Sequence, residues 1–124
     1  WGVEPRGAAA MHRSLAEGRA VTLDRVETVA DGLAPPMAGT LNHAILAEHA
    51  AGVVLVDDDE ILSAQRLLLE RTKLLAEPAG ASGLAALLAG RIHSRPGVPV
   101  VVVLSGGNAD LQRLGESLRD SEVP

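Results

Sequence analysis

Ser105-Gly106-Gly107-Asn108 brings a hydroxyl, two glycines and an amide together at the end of the apolar run Val98-Pro99-Val100-Val101-Val102-Val103-Leu104. An apolar run this rich in β-branched residues predicts a strand over 100–104, buried on both faces of a sheet. The C-terminal ends of such strands are where open α/β sheets bind ligands. The two glycines let backbone N–H groups approach a ligand with no Cβ in the way. An ordinary strand-to-helix turn, with Asn108 capping the next helix, is the other reading. On these residues alone the turn is favoured, because a lone Gly-Gly is a weak signal.

Glu77 is the second candidate. It is a single acid at the head of Pro78-Ala79-Gly80-Ala81-Ser82-Gly83, where small residues let backbone come close to a neighbouring helix or a ligand. Pro78 suits the first turn of a helix, and Glu77 can cap it. The acidic run Asp57-Asp58-Asp59-Glu60 lacks the spacing of a calcium loop. It fits a capping box, with Asp57 at the N-cap and Glu60 reaching back, in a helix whose dipole favours acids at its start. His43 and His49 are six apart and do not share a helix face as an i, i+4 metal pair does. His12 reads as a surface residue, and Lys73, the only lysine, as a surface ammonium on a polar helix face.

These residues must be held by a chain of 124 residues with net charge −5, no cysteine and Trp1 as its one aromatic residue. Without cysteine there is no disulfide frame, zinc-thiolate site or cysteine nucleophile. The acidic balance, without a basic cluster, argues against nucleic acid. No apolar stretch is long enough to span a bilayer and no signal peptide opens the chain, so a soluble cytoplasmic protein is expected. Small side chains must fill the core, which suits helices packed closely on a sheet.

In order, the pattern predicts a strand ending at Trp1-Gly2-Val3 and a helix over Gly7–Glu17 closed by Gly18. Thr22–Val29 is extended, and Asp31-Gly32 and Pro35-Pro36 mark a loop. A helix over Thr40–Ala51, with Thr40 near its N-cap, turns Leu41, Ala44, Ile45 and Leu46 to apolar neighbours. A strand at Val53–Val56 leads into the helix after Asp57, with Ile61, Leu68 and Leu75 on one face and Ser63, Arg66, Glu70 and Lys73 on the solvated one. The apolar helix Leu84–Leu88, a connector over 90–99 and a last helix over Asn108–Leu118 complete an α/β chain with no internal repeat.

Three loops and their order resemble a known family. Thr28-Val29-Ala30-Asp31-Gly32, Glu70-Arg71-Thr72-Lys73-Leu74-Leu75-Ala76-Glu77-Pro78-Ala79-Gly80-Ala81 and Val102-Val103-Leu104-Ser105-Gly106-Gly107-Asn108 are similar in wording and spacing to threonine dehydratases and serine racemases. These are the pyridoxal-phosphate enzymes of fold type II. Gly2-Val3-Glu4-Pro5 and the helix from Asp57 extend the likeness from about Gly2 to Leu111.

The resemblance implies an open sheet with flanking helices, residues 1–124 being part of a large, cofactor-binding domain. It implies that Ser105 hydrogen-bonds the pyridine nitrogen of pyridoxal phosphate, that Gly106 and Gly107 pack against the ring, that Glu77 approaches it and that Gly32, beside Asp31, flanks it. Glu4 and the Ala8 carbonyl resemble part of a divalent-cation site, although Ala10 stands where a further acidic ligand is expected. The family's Schiff-base lysine motif, glycine-rich phosphate cradle and smaller domain have no counterpart here, so no catalytic residue is assigned.

The expected function is therefore a segment of a threonine or serine dehydratase, an ammonia-lyase giving a 2-oxo acid. The intact enzyme is expected to take an amino-acid substrate and to be a homo-oligomer, while the chain alone is expected to be inactive. The alternatives are a serine racemase-like parent, or a non-catalytic remnant that persists as a packing or complementation fragment. With no regulatory domain following, the single-domain, catabolic-like branch is expected unless the C-terminus is truncated.

Overall fold

The computed structural model describes residues 1–119. Strand β1 (Gly2–Pro5) pairs in parallel with β2 (Val53–Val56), Gly2 standing opposite Val53 and Pro5 opposite Val56. Parallel strands need a long crossover. Helices α1 (Ala10–Glu17) and α2 (Thr40–His49) supply it, and α3 (Asp58–Thr72), α4 (Pro78–Leu88) and α5 (Leu111–Arg119) follow β2. The α/β class expected from the sequence is the class observed. Helix α4 packs on α3 and on both strands, while α1 contacts α2 and β2. No helix among the described residues is long and apolar enough to cross a membrane.

The core explains how a chain almost without aromatics folds. Its buried cluster is Ala30, Val56, Ile61, Ala64, Leu68, Ala76, Ala81, Ala85 and Ala86. Alanine predominates, so α3 and α4 approach closely and dispersion contacts replace bulk. Ile61 and Val56 are the largest of these side chains with no exposure.

Local signals set most boundaries. The capping box at α3 is present, Glu60 Oε2 accepting the Asp57 N–H at 2.8 Å. Gly18 closes α1 in the left-handed region at φ 68°. The start of α1 differs from the expected Gly7: residues Arg6–Ala8 form a separate 3-10 turn. The Gly7 carbonyl is taken by the Glu27 N–H at 3.0 Å, and Glu4 accepts the N–H groups of Met11 and His12, both at 2.8 Å. Those two bonds satisfy orphan donors at the helix start from a strand side chain.

Three expectations fail for identifiable reasons. Leu75 lies beyond α3, because Lys73 turns left-handed at φ 62° and ends the heptad spacing. Thr40 stands next to the N-cap Gly39, as expected, but α2 buries no residue; Leu41 is 71% exposed because the outer face of α2 meets no neighbour among the described residues. Thr22–Val29, expected only to be extended, belongs to no helix and makes an isolated antiparallel bridge from Thr22 to Met37. Val100–Leu104 is not a strand, since a ladder needs an adjacent backbone edge and none of the described residues pairs with it. Val101 and Val103 remain 85% and 75% exposed.

Candidate functional site

The sequence candidates converge where α4 begins. The Glu77 N–H donates to the Gly106 carbonyl at 3.0 Å, tying the head of α4 to the Ser105–Asn108 turn. Gly80, one turn into α4, leaves no room for a side chain: a Cβ there would lie 2.8 Å from the Gly106 carbonyl oxygen. A Cβ on Gly107 would lie 2.9 Å from the Leu75 carbonyl. On the other side, a Cβ on Gly32 would come within 2.9 Å of the Ala79 Cβ and 3.5 Å of Glu77 Oε1. The Glu77 carboxylate thus lies in a crevice between Gly32 and Gly106.

Glu77 is the N-cap residue of α4, as expected, but its side chain makes no capping bond. Turned into the crevice, it cannot fold back over the first turn. Half-buried there, it accepts no hydrogen bond among the described residues. Ser105, next in sequence to Gly106, is exposed and its hydroxyl is likewise without a partner among them. Asn108 does not cap the last helix; Asp110 does, its Oδ1 accepting the N–H groups of Gln112 at 2.8 Å and Arg113 at 3.2 Å.

Gly32 borders two clefts. One of about 590 Å³ is walled by Gly32, Glu77 and Asn108 together with residues of the 27–31 segment, α3 and α5. Glu27, Asp31, Asp58, Glu77, Asp110 and Glu116 face it against the single cation Arg113, so its field opposes an anion. The second, of about 260 Å³, includes Glu4, Ala10, Met11 and Gly32.

Glu4 lies on β1 and shares the smaller cleft with Gly32, and Ala8 closes the 3-10 turn before α1. Both Glu4 oxygens are engaged by backbone N–H groups, and Ala8 is fully buried. No group of three or more His, Asp or Glu residues among those described is arranged to hold a metal ion. His12 is less free than expected of a surface residue: its Nδ1 lies 2.7 Å from the Val53 carbonyl. Lys73 is exposed and its Nζ donates to the Glu70 carbonyl at 2.6 Å.

The family model for "Pyridoxal-phosphate dependent enzyme" matches residues 1–106. The chain belongs to this family. It is 47% identical over 126 aligned positions to the biosynthetic L-threonine dehydratase IlvA of Mycobacterium bovis, covering 98% of this chain and 28% of that protein. Serine racemase of Dictyostelium discoideum is 38% identical, with 93% of this chain and 36% of that protein aligned. Among solved structures, the processed form of threonine deaminase isoform 2 from Solanum lycopersicum superposes with TM-score 0.83 at 32% identity, covering 98% of this chain and 36% of that one.

The chain thus spans about a third of the length of the relatives it matches. Because it ends far short of their length, its end says nothing about a regulatory domain, and the relative at 47% identity is named a biosynthetic enzyme. The catabolic-like expectation loses its basis.

Asp58 also holds the segment that carries Gly32, accepting the Thr28 hydroxyl at 2.7 Å and the Val29 N–H at 2.9 Å. Nothing in the spacing of Thr28 and Asp58 signals this pairing, because Asp58 lies within the acidic run that the capping box explains.

Proposed function

We propose that this chain is the part of a pyridoxal-phosphate-dependent threonine or serine dehydratase that contacts the cofactor ring. The observation that carries this is the Glu77 carboxylate, lodged between Gly32 and Gly106 and bonded to none of the described residues. A half-buried carboxylate flanked by side-chain-free backbone, with the Ser105 hydroxyl one residue before Gly106, fits a flat ring with one polar edge.

Pyridoxal phosphate, when bound, supplies an electron sink that lets an amino acid lose its α-proton and β-hydroxyl. The residues of this chain bind and orient it. Ser105 donates its hydroxyl to the ring nitrogen; a hydroxyl, unlike a carboxylate, does not stabilise a proton there. That moderates the sink and suits β-elimination over transamination. Gly106, Gly107 and Gly32 let backbone approach the ring, and Glu77 stands at its edge. The acidic cleft beyond Gly32 opposes an anion, so its residues would not be the ones to hold the cofactor's phosphate.

Lys73 is not the Schiff-base lysine in this proposal, since an exposed ammonium lacks the desolvated setting that activates such a residue. Glu4 and the Ala8 carbonyl hold a divalent cation only with further ligands, because Ala10 offers no side-chain oxygen and both Glu4 oxygens already serve α1. The proposal includes a homo-oligomeric complete enzyme.

The test is release of ammonia and a 2-oxo acid from threonine or serine by the complete protein with pyridoxal phosphate. Failure with both amino acids overturns it, and racemised serine as the sole product moves the chain to a racemase. The isolated 124-residue chain, incubated with pyridoxal phosphate and reduced with borohydride, is expected to show no stoichiometric adduct in its intact mass. A specific adduct on Lys73 would mean that the chain builds a cofactor site of its own.

A further inference from the structure

We infer that Asp58 is a positioning residue for the Gly32–Glu77 crevice, an inference that rests on the cofactor-ring reading above. Asp58 opens α3, yet it is not what caps that helix, because the Asp57–Glu60 box already does so. Both of its oxygens point instead to the segment that carries Gly32. Oδ1 accepts the Thr28 hydroxyl at 2.7 Å, and Oδ2 accepts the Val29 N–H at 2.9 Å. The Thr28 Oγ1 in turn accepts the Ala30 N–H at 3.1 Å.

Three consecutive residues are therefore registered against the first turn of a helix whose next residues, Ile61 and Ala64, are core. Ala30 is fully buried, and its carbonyl accepts the Leu33 N–H at 2.8 Å, closing the tight turn with Gly32 inside it. Gly32 has little freedom: its neighbours are the Ala79 Cβ and Glu77 Oε1. Hydrogen bonds to a carboxylate are stronger than neutral ones and fix direction as well as distance. Asp58 thus sets where the 28–32 segment stands against Glu77 and Ala79, and so the position of the side-chain-free backbone that Gly32 offers to the flank of a ring. Arg6 pairs with Asp57 and Arg91 with Glu60, so no cation draws Asp58 away.

The experiment uses the complete protein, with D58A, D58E and T28V. Affinity for pyridoxal phosphate is read from bound-cofactor fluorescence, and the mobility of 28–32 from amide hydrogen exchange. D58A is expected to bind about tenfold more weakly and to exchange faster at Val29, as loss of bonds to a charged acceptor implies. D58E, which keeps the carboxylate, is expected to recover part of the affinity. T28V keeps the Val29 bond to Asp58 but loses the hydroxyl's bond to the carboxylate and its acceptance of the Ala30 N–H, and is expected to weaken binding by about threefold, less than D58A.

A role confined to stability would lower the unfolding midpoint and leave the affinity of the folded fraction unchanged. Wild type that binds while D58A binds within about twofold of it overturns the inference alone. Should D58A fail to fold, T28V decides, and an unchanged affinity there overturns the inference. Wild type that does not bind pyridoxal phosphate overturns the underlying reading and this inference together.

Discussion

The Glu77 N–H is bonded to the Gly106 carbonyl at 3.0 Å, while the Glu77 carboxylate fills the space a side chain on residue 106 would need. One residue thus holds the turn in place with its backbone and makes it glycine-dependent with its side chain. Gly106→Ala should therefore act on the site and hardly on the fold. The atoms it meets are the far end of a flexible side chain, which swings away and leaves the crevice. The expected result is weaker pyridoxal-phosphate binding with a urea midpoint near wild type. A large fall in the midpoint would show that Glu77 cannot move.

Gly80→Ala should do the reverse. Its Cβ meets the Gly106 carbonyl oxygen at 2.8 Å, a backbone atom with no rotamer to escape into. Overpacking costs about 1–3 kcal/mol. The helix-propensity gain of alanine over glycine offsets about 1 kcal/mol of that. A net loss of stability is expected in urea unfolding, and a stabilised variant would refute the tight contact.

Much of the fold was legible in the sequence where the cause was local. The Asp57–Glu60 box, the Val53–Val56 strand, the Gly18 cap and Pro78 in the first turn of α4 follow from residues within a few positions of one another. Val100–Leu104 misled because its composition records burial on two faces, whereas strand formation depends on a neighbouring edge that the composition does not encode. Glu77 and Gly106 were singled out separately, but their bond depends on how α4 is placed. Asp58 was hidden because an acidic run has one obvious explanation, the helix dipole, that accounts for all its members at once.

Ile61 tests the small-residue core. It is fully buried among alanines of α3 and α4, which cannot extend to fill a void. Ile61→Ala is expected to cost about 2–5 kcal/mol, and Ile61→Val about 0.5–1.5 kcal/mol. Urea unfolding of both variants checks the ordering, and a cost for alanine no larger than that for valine would mean that the core collapses onto the site.

Asp57 gives a pH dependence with a definite sign. The Arg6 guanidinium, hydrogen-bonded at 2.8 Å, holds its carboxyl below the ordinary carboxylate range, with Arg91 adding to the effect. A carboxyl whose pKa is lower folded than unfolded stabilises the fold above the unfolded value of 3.8, and that contribution is lost as pH falls through the folded value. Asp57→Ser retains an N-cap oxygen but no charge for Arg6. Its stability deficit relative to wild type should be greatest near neutral pH and shrink below about pH 4. Denaturant unfolding at both pH values measures it, and a deficit that grows in acid would refute the pairing.

Ser105 separates binding chemistry from folding most cleanly. Its hydroxyl is exposed and bonded to nothing among the described residues, so Ser105→Ala should leave the thermal midpoint unchanged. If the hydroxyl donates to the ring nitrogen, its removal forfeits one hydrogen bond, about 0.5–1.5 kcal/mol, or roughly three- to tenfold in cofactor affinity. Ser105→Asp makes the sharper prediction. A carboxylate there favours a protonated ring nitrogen and a stronger electron sink, so turnover should shift from ammonia release towards transamination, measured as pyridoxamine phosphate formed per ammonia released. An unchanged ratio in the aspartate variant, with unaltered affinity in the alanine one, would remove Ser105 from the site.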